Sequence, residues 1–181
     1  MGGFLRIQLH AEHGADKEYC LEKEGAYMKA ETKFFGTIDI EDDKIIHFPN
    51  GIIGFENLKN FALIYDSDRE ERSNISWLQS MEEPLMVLPV INPIDITESY
   101  TPLIEDELMK NIGDPADADI LILVSMSIPS DLTKMTANLK GPFIINTVER
   151  KAMQVIVENE DYDVKYNVYD AIERLKAKEG E

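Results

Sequence analysis

The apolar residues of this chain lie in short runs that turn-forming residues interrupt. Even the longest, such as Leu85–Ile91 and Ile120–Val124, are far shorter than the roughly 20 residues of a membrane-spanning helix. Other segments alternate polar and apolar residues, which is typical of strands with one buried face. The pattern predicts a mainly β fold of about eight to ten short antiparallel strands, closing as a small barrel-like or sandwich domain with two or three short helices.

Some of the predicted strands carry further expectations. Pro89 interrupts its segment and indicates an edge strand or a bulge. Ile120–Val124 is apolar on both faces, so we expect other elements to cover it on both sides. Phe143–Thr147 and Met153–Val157 suggest a hairpin around residues 148–152. The full set of predicted strands is Glu31–Phe35, Thr37–Ile40, Lys44–Phe48, Phe61–Tyr65, Ser76–Gln79, Leu85–Ile91, Asp119–Ile128, Phe143–Thr147 and Met153–Val157.

Helical signals are few. Gly54–Asn60 predicts a short helical turn, and Ile104–Ile112 a short helix that ends at Gly113. Val168–Lys178 predicts the longest helix, because its apolar residues recur at helical spacing. The charged segment Asp66–Asn74 predicts an exposed loop.

Residues 1–27 differ from the rest because they show no sustained period of 2 or 3.6 residues. The strand pattern begins at Met28, and the codons of Lys23-Glu24-Gly25 can resemble a bacterial ribosome-binding site. We therefore expect residues 1–27 to be an upstream extension or a disordered arm. Residues 28–181 then form one domain with a C-terminal helix.

The charge of the chain restricts its partners. Of the 181 residues, 18 are Lys or Arg and 35 are Asp or Glu, which gives a formal net charge of −17. Such a surface disfavours direct binding to nucleic-acid phosphates or to an anionic membrane and favours a basic protein partner. With 44% hydrophobic residues the chain is too apolar to be disordered. It has no signal-peptide pattern, so we expect a soluble cytoplasmic protein.

Few residues with catalytic or metal-binding side chains are present. The single cysteine, Cys20, precedes Met28, and His47 is the only histidine after it. This excludes the cysteine-rich zinc sites and Cys–His nucleophilic pairs from residues 28–181, and the strand pattern around His47 favours a packed side chain. We therefore expect no catalytic residues, no metal and no cofactor.

Acidic clusters are present, but their context favours solvated surface. The segment 114–119 superficially resembles a calcium loop, yet it lacks the glycine at the sixth position and the glutamate at the twelfth. A pair of facing carboxylates in a small barrel enzyme stays an alternative, because composition alone does not exclude it.

Three segments of the chain carry a family resemblance. The run Met135-Thr136-Ala137-Asn138-Leu139-Lys140-Gly141-Pro142-Phe143-Ile144-Ile145-Asn146 resembles the signature of the FliW flagellar assembly factors. Gly51–Leu58 is similar to their glycine-phenylalanine-glutamate segment, and Trp77–Ser80 with Pro84 and Pro93 to their central tract. The likeness covers most of residues 28–158.

The resemblance implies a non-catalytic partner switch with a β-barrel-like fold. Proteins of this family bind the translational regulator CsrA and relieve its repression of flagellin mRNA, and they also bind flagellin. A negatively charged protein suits CsrA, because a surface that binds RNA is positively charged. Two alternatives remain, namely a flagellin secretion chaperone without a regulatory role and the carboxylate enzyme considered above.

Four residues are candidates for partner contact: Gln79, Thr136, Asn138 and Arg150. Thr136 and Asn138 have an alternative role, in which they bond to the backbone of a tight strand and turn before Gly141-Pro142. For Gln79 and Arg150, the alternative is that the side chain lies on the solvated surface and contacts no partner. We expect the glycines Gly51, Gly54 and Gly141 to serve backbone conformation.

Overall fold

The computed structural model describes residues 27–65 and 74–179. Residues 1–26, residues 66–73 of the loop predicted over Asp66–Asn74, and residues 180–181 lie outside the described residues. The strands are β1 (Tyr27–Thr32), β2 (Gly36–Glu41), β3 (Ile45–His47), β4 (Asn60–Ile64), β5 (Ile75–Ser80), β6 (Val87–Ile91), β7 (Ile120–Ser127), β8 (Thr136–Ala137), β9 (Phe143–Asn146), β10 (Lys151–Gln154) and β11 (Tyr166–Asn167). The α-helices are α1 (Asp106–Met109) and α2 (Tyr169–Glu179), and 3-10 turns span Asp42–Lys44, Pro93–Asp95, Lys110–Ile112, Asp117–Asp119 and Leu132–Lys134.

Seven strands form a closed barrel in the order β7, β6, β5, β4, β3, β10, β9, and β9 closes the ring by pairing with β7. All neighbours are antiparallel except β3 and β10, which run parallel and share one Cα pair, His47 with Lys151. Beyond the barrel, β8 pairs with β7 and β11 pairs with β8, while β1 and β2 form a separate hairpin. The predicted mainly β, barrel-like fold is confirmed.

Alternate residues of a barrel strand face the interior and the exterior, and both faces are apolar here. In β4, Phe61 and Leu63 lie in the interior core, whereas Ala62 and Ile64 pack beneath the β1–β2 hairpin. The same holds for β7. Its inward residues join the interior core, and its outward residues lie under other segments of the chain. The expectation that Ile120–Val124 is covered on both sides is therefore confirmed.

Two segments cover β7 from outside. Residues 103–112, which we call the crossing segment, place Ile104, Met109 and Ile112 against the outer faces of β7, β9 and β10. Helix α2 places Ala171 and Ile172 against the outer face of β7 farther along that strand. The helix predicted over Val168–Lys178 is thus present and has a defined packing partner.

The helical prediction for Gly54–Asn60 is wrong. These residues form successive turns with a bridge between Ile52 and Phe55, and β4 begins at Asn60. The helix predicted over Ile104–Ile112 is present only as the four residues of α1 followed by a 3-10 turn. It ends at Gly113 as predicted, where φ is 94° in the left-handed region.

The prediction that Pro89 marks an edge strand or a bulge is also wrong, since β6 lies between β5 and β7 inside the ring and pairs with β5 in unbroken register through Pro89. The proline is tolerated because the β6–β7 ladder contains only Val90 and Ile91. Pro89 lies before the first of these pairs, so β7 does not need an N–H from it.

Three phenylalanine rings fill the barrel interior, and their removal should be costly. Phe48 is fully buried and meets Phe61 and Phe143 edge to face, with ring centroids 5.2 and 6.1 Å away. We expect Phe48→Ala to lower the free energy of unfolding by about 3–5 kcal/mol, because it removes apolar contacts and leaves a cavity. Urea denaturation measures this loss. Phe34→Ala is the control, because Phe34 is 55% exposed and should cost about 1 kcal/mol or less; equal losses would contradict the assignment of the core.

Candidate functional site

The family-like run of residues 135–146 folds as one long strand that a loop interrupts. Thr136 and Ala137 of β8 pair with Ser127 and Met126 of β7. After the interruption, β9 continues along the same edge of β7, beginning with Phe143 opposite Leu123. The change of register places extra residues on the β8–β9 side. Asn138 still donates its N–H to the Ser125 carbonyl of β7 at 2.9 Å, and residues 139–142 leave the ladder as an enlarged bulge. We call residues 138–142 the bulge loop.

The bulge loop gains its own hydrogen bonds. The Asn138 Oδ1 accepts a bond from the Lys140 N–H at 3.1 Å, which closes a tight turn. On the other side, the carbonyls of Lys140 and Pro142 accept bonds from Val157 and Val155. A Cβ on Gly141 would lie 2.8 Å from the Asn138 Nδ2, so a larger residue there would have to displace the Asn138 side chain from its turn.

A second family-like segment, Gly51–Leu58, lies beside the bulge loop at the same end of the barrel. Gln154 connects them. Its Oε1 accepts a bond from the Ile53 N–H at 3.0 Å, and its Nε2 donates to the Gly141 carbonyl at 3.2 Å. We call the Gly51–Leu58 turn, the bulge loop and Gln154 together the turn surface.

Polar side chains also fix the neighbouring turn between β5 and β6. The Glu82 carboxylate accepts bonds from the backbone N–H groups of Lys59 and Asn60. The Gln79 Nε2 lies within 3.3 Å of the carbonyls of Ser80, Pro84 and Met86. These bonds hold the third family-like segment against the start of β4.

The turn surface combines exposed apolar side chains with a carboxylate. Ile53 is 51% exposed and Phe55 46% exposed. The Glu56 Oε1 accepts a bond from the Gly54 N–H at 2.9 Å. Backbone bonds to Gly54 and to Glu56 itself, with the charge of Lys59, hold the pKa of Glu56 below its ordinary value of 4.5. Apolar groups beside an ionised carboxylate suit contact with another macromolecule.

The structure places the four candidate contact residues in different surroundings. Asn138 lies in the bulge loop and Thr136 just before it, and both are half-buried. The Asn138 side chain makes the backbone bond that the sequence offered as its alternative role. Arg150 is at the opposite end of the barrel, where its carbonyl accepts a bond from the His47 N–H at 2.7 Å.

Gln79 does not fit a surface contact, which corrects its assignment as solvated or partner-binding. The side chain is fully buried, since its Nε2 reaches inward to three backbone carbonyls, and its Oε1 has no hydrogen-bond partner. The sequence alone does not identify Gln154 as a site residue. The only signal for it was a polar residue at the end of an apolar strand.

The described residues offer little for catalysis. Within 27–65 and 74–179, no group of three or more His, Cys, Asp or Glu side chains is arranged to hold a metal ion. The buried polar residues of these segments are Ser76, Gln79, Ser80 and Asn146, so no carboxylate is among them. His47 is exposed, and its Nδ1 lies 3.0 Å from the Asn60 Oδ1. Among residues 27–65 and 74–179, none of the helices has the length and hydropathy of a membrane span.

Comparison with known proteins gives consistent matches. The family profile described as FliW protein matches residues 29–168. The flagellar assembly factor FliW of Lachnoclostridium phytofermentans is 47% identical over 155 residues, which is 85% of this chain and 99% of that protein. The one of Lachnospira eligens is 45% identical over 148 residues, or 81% of this chain and 98% of that protein.

A solved structure shows the same fold. It is described as the crystal structure of the flagellar assembly factor FliW and superimposes with a TM-score of 0.71 at 28% sequence identity. The alignment covers 77% of this chain and 96% of that one. The barrel and the turn surface both lie within the residues that the family profile matches.

Gly51→Ala tests the close packing of the Gly51–Leu58 turn. Gly51 has φ of 72°, and a Cβ there would lie 2.7 Å from the Glu56 backbone. We expect a loss of about 2–4 kcal/mol, since left-handed strain and a backbone clash add together. Gly54→Ala is the matched control in the same turn, because its φ is 85° with open space around it, and it should cost about 1 kcal/mol. Equal losses in urea denaturation would show that the clash relaxes freely.

The lowered pKa of Glu56 predicts a pH dependence of stability. Because folding lowers this pKa, the contribution is complete above the unfolded value near 4.5 and is lost as the pH falls through the lower folded value. We therefore expect acid to destabilise the unmodified protein more than the Glu56→Gln variant, as measured by urea denaturation across that range. Glu98→Gln is the control, since Glu98 is exposed and accepts no hydrogen bond within the described residues; identical pH profiles for all three proteins would refute the prediction.

Proposed function

The chain belongs to the FliW family of flagellar assembly factors, and from this premise we propose that it is a cytoplasmic partner switch that binds CsrA and flagellin in competition. When flagellin is abundant it occupies this protein, and CsrA represses flagellin mRNA. When flagellin is exported, the freed protein captures CsrA and translation resumes. No chemical step is needed for this cycle, only two mutually exclusive complexes.

The observation that carries the proposal is the negative surface charge. Within the described residues, five lysines lie within 4.0 Å of a carboxylate, so local acidic groups partly neutralise them; they are Lys29, Lys44, Lys110, Lys134 and Lys151. Subtracting the −2 of residues 1–27 from the total of −17 leaves −15 for residues 28–181. A surface that binds RNA is positively charged, and opposite charge accelerates encounter between the two proteins.

We propose that the protein acts on CsrA from a surface beside the RNA site. The coupling is then reciprocal, so RNA weakens this protein's binding to CsrA by the same factor as this protein weakens RNA binding. Asn138 in the turn surface and Thr136 just before it stay candidate contacts. Arg150, at the other end of the barrel, stays a separate candidate.

The decisive experiment mixes the full chain with purified CsrA and a labelled flagellin mRNA leader. We expect release of the RNA, and we expect added flagellin to reverse it. Release with a transient ternary complex supports action from a neighbouring surface, whereas release without one indicates direct occlusion. Failure to bind CsrA at low salt, together with retained binding to flagellin, would leave the chaperone alternative.

Affinity for CsrA should fall as salt rises, because attraction between opposite charges is screened beyond about 10 Å at 0.1 M salt. Replacing Asp42 and Asp43 with asparagine removes exposed charge at constant size. We expect it to lower the association rate more than it raises the dissociation rate, as stopped-flow fluorescence measures. An affinity that does not change with salt would show that apolar contacts dominate.

A further inference from the structure

A groove separate from the turn surface lies between the crossing segment and the chain that follows β10. Its volume is about 270 Å³. Its apolar lining is Leu103, Ile104, Leu108, Val155 and Ile156, and its charged lining is Glu105 and Glu158. Leu103 and Ile156 are each 62% exposed, so two large apolar side chains on opposite walls face solvent. Exposed apolar surface concentrated in a groove marks a binding site more often than scattered residues do.

The walls of the groove are fixed by hydrogen bonds. The Asn159 side chain accepts a bond from the Leu103 N–H at 2.8 Å and donates to the Thr101 carbonyl at 3.1 Å. The Tyr162 hydroxyl accepts a bond from the Thr101 N–H at 2.7 Å. A ligand therefore meets a formed site and need not order it on binding.

One wall also offers an unpaired strand edge. The N–H groups of Val155 and Val157 donate to carbonyls of the bulge loop. Because successive N–H groups of an extended chain point to opposite sides, the N–H of Ile156 points away from that loop. Neither the N–H nor the carbonyl of Ile156 makes a hydrogen bond within the described residues. An extended peptide can pair with such an edge.

The charge of the lining selects the chemistry of the peptide. Both charged residues that line the groove are acidic, and the nearby Lys110 is bonded to Glu107 at 2.7 Å. We propose that this groove binds an extended segment of a partner protein. The apolar side chains of the segment enter between Leu103 and Ile156, and its basic side chains meet Glu105 and Glu158. Its backbone pairs with Ile156. None of the residues that line this groove belongs to the turn surface.

The test uses the full chain and a fluorescein-labelled peptide that alternates valine and lysine, measured by fluorescence anisotropy at about 0.15 M salt to suppress non-specific attraction. We expect Leu103→Ser and Ile156→Ser each to weaken binding by about tenfold, as apolar residues at the centre of an interface do. Val148→Ser is the matched control, since Val148 is 68% exposed at the other end of the barrel. Equal effects at all three positions would overturn the proposal.

Two further arms test charge and backbone pairing. Glu158→Lys should weaken peptide binding more than Asp42→Lys does, and a peptide alternating valine and glutamate should not bind. Methylation of the central valine nitrogen should abolish binding, because it removes the N–H that pairs with Ile156. Unchanged affinity of the methylated peptide would refute strand pairing.

Other occupants of the groove would be recognised by different experimental results. Self-association that Ile156→Ser reverses, seen in sedimentation, would assign the groove to a second copy of the chain and overturn the proposal. Peptide affinity that rises when Ile7→Ser is introduced would assign it to the N-terminal segment of the same chain, with the same consequence. The CsrA affinity of the groove variants is measured in parallel, so loss of either interface is recognised separately.

Discussion

Closure of the barrel through the β7–β9 ladder is the interaction on which the rest of the structure depends. It removes the open edges of the seven strands and lets one interior core form around the three phenylalanine rings. Because strands such as β4 and β7 are apolar on both faces, closure alone leaves their outer faces exposed to water. The hairpin, the crossing segment and helix α2 are the covers that this requires, and they give the molecule its second layer.

Short-range pattern was enough to predict most elements. Alternation indicated the strand pair β1–β2, but the predicted first strand, Glu31–Phe35, is displaced, since β1 is Tyr27–Thr32 and residues 33–35 form the turn. A two-faced apolar run identified β7 as a strand covered on both sides. Pro89 was misplaced because its tolerance depends on where the β6–β7 ladder begins, which is a property of two strands and not of one. The helical prediction for Gly54–Asn60 fails because Phe55 forms a bridge with Ile52, outside that segment, and this bridge has no signature in composition.

The sequence predicts which segments form the candidate site, but not the contacts that hold them together. The family-like segments Gly51–Leu58 and Asn138–Pro142 do lie side by side. Their connection through Gln154 spans about a hundred residues of sequence, and no local pattern encodes it. The bulge loop also escaped prediction, because a register change is defined only relative to β7. Gln79 was placed at the surface from its polarity, whereas three backbone carbonyls hold it inside.

The parallel contact between β3 and β10 gives the barrel a seam. These strands share a single Cα pair, supported by the bond from the His47 N–H to the Arg150 carbonyl, whereas β4 and β5 share a ladder of four pairs. Local opening along this line breaks a shorter ladder, so we expect amide protons there to exchange with solvent before those of β4 and β5. The closed barrel is therefore not equally stable all around, and we expect local unfolding to begin at the contact between β3 and β10.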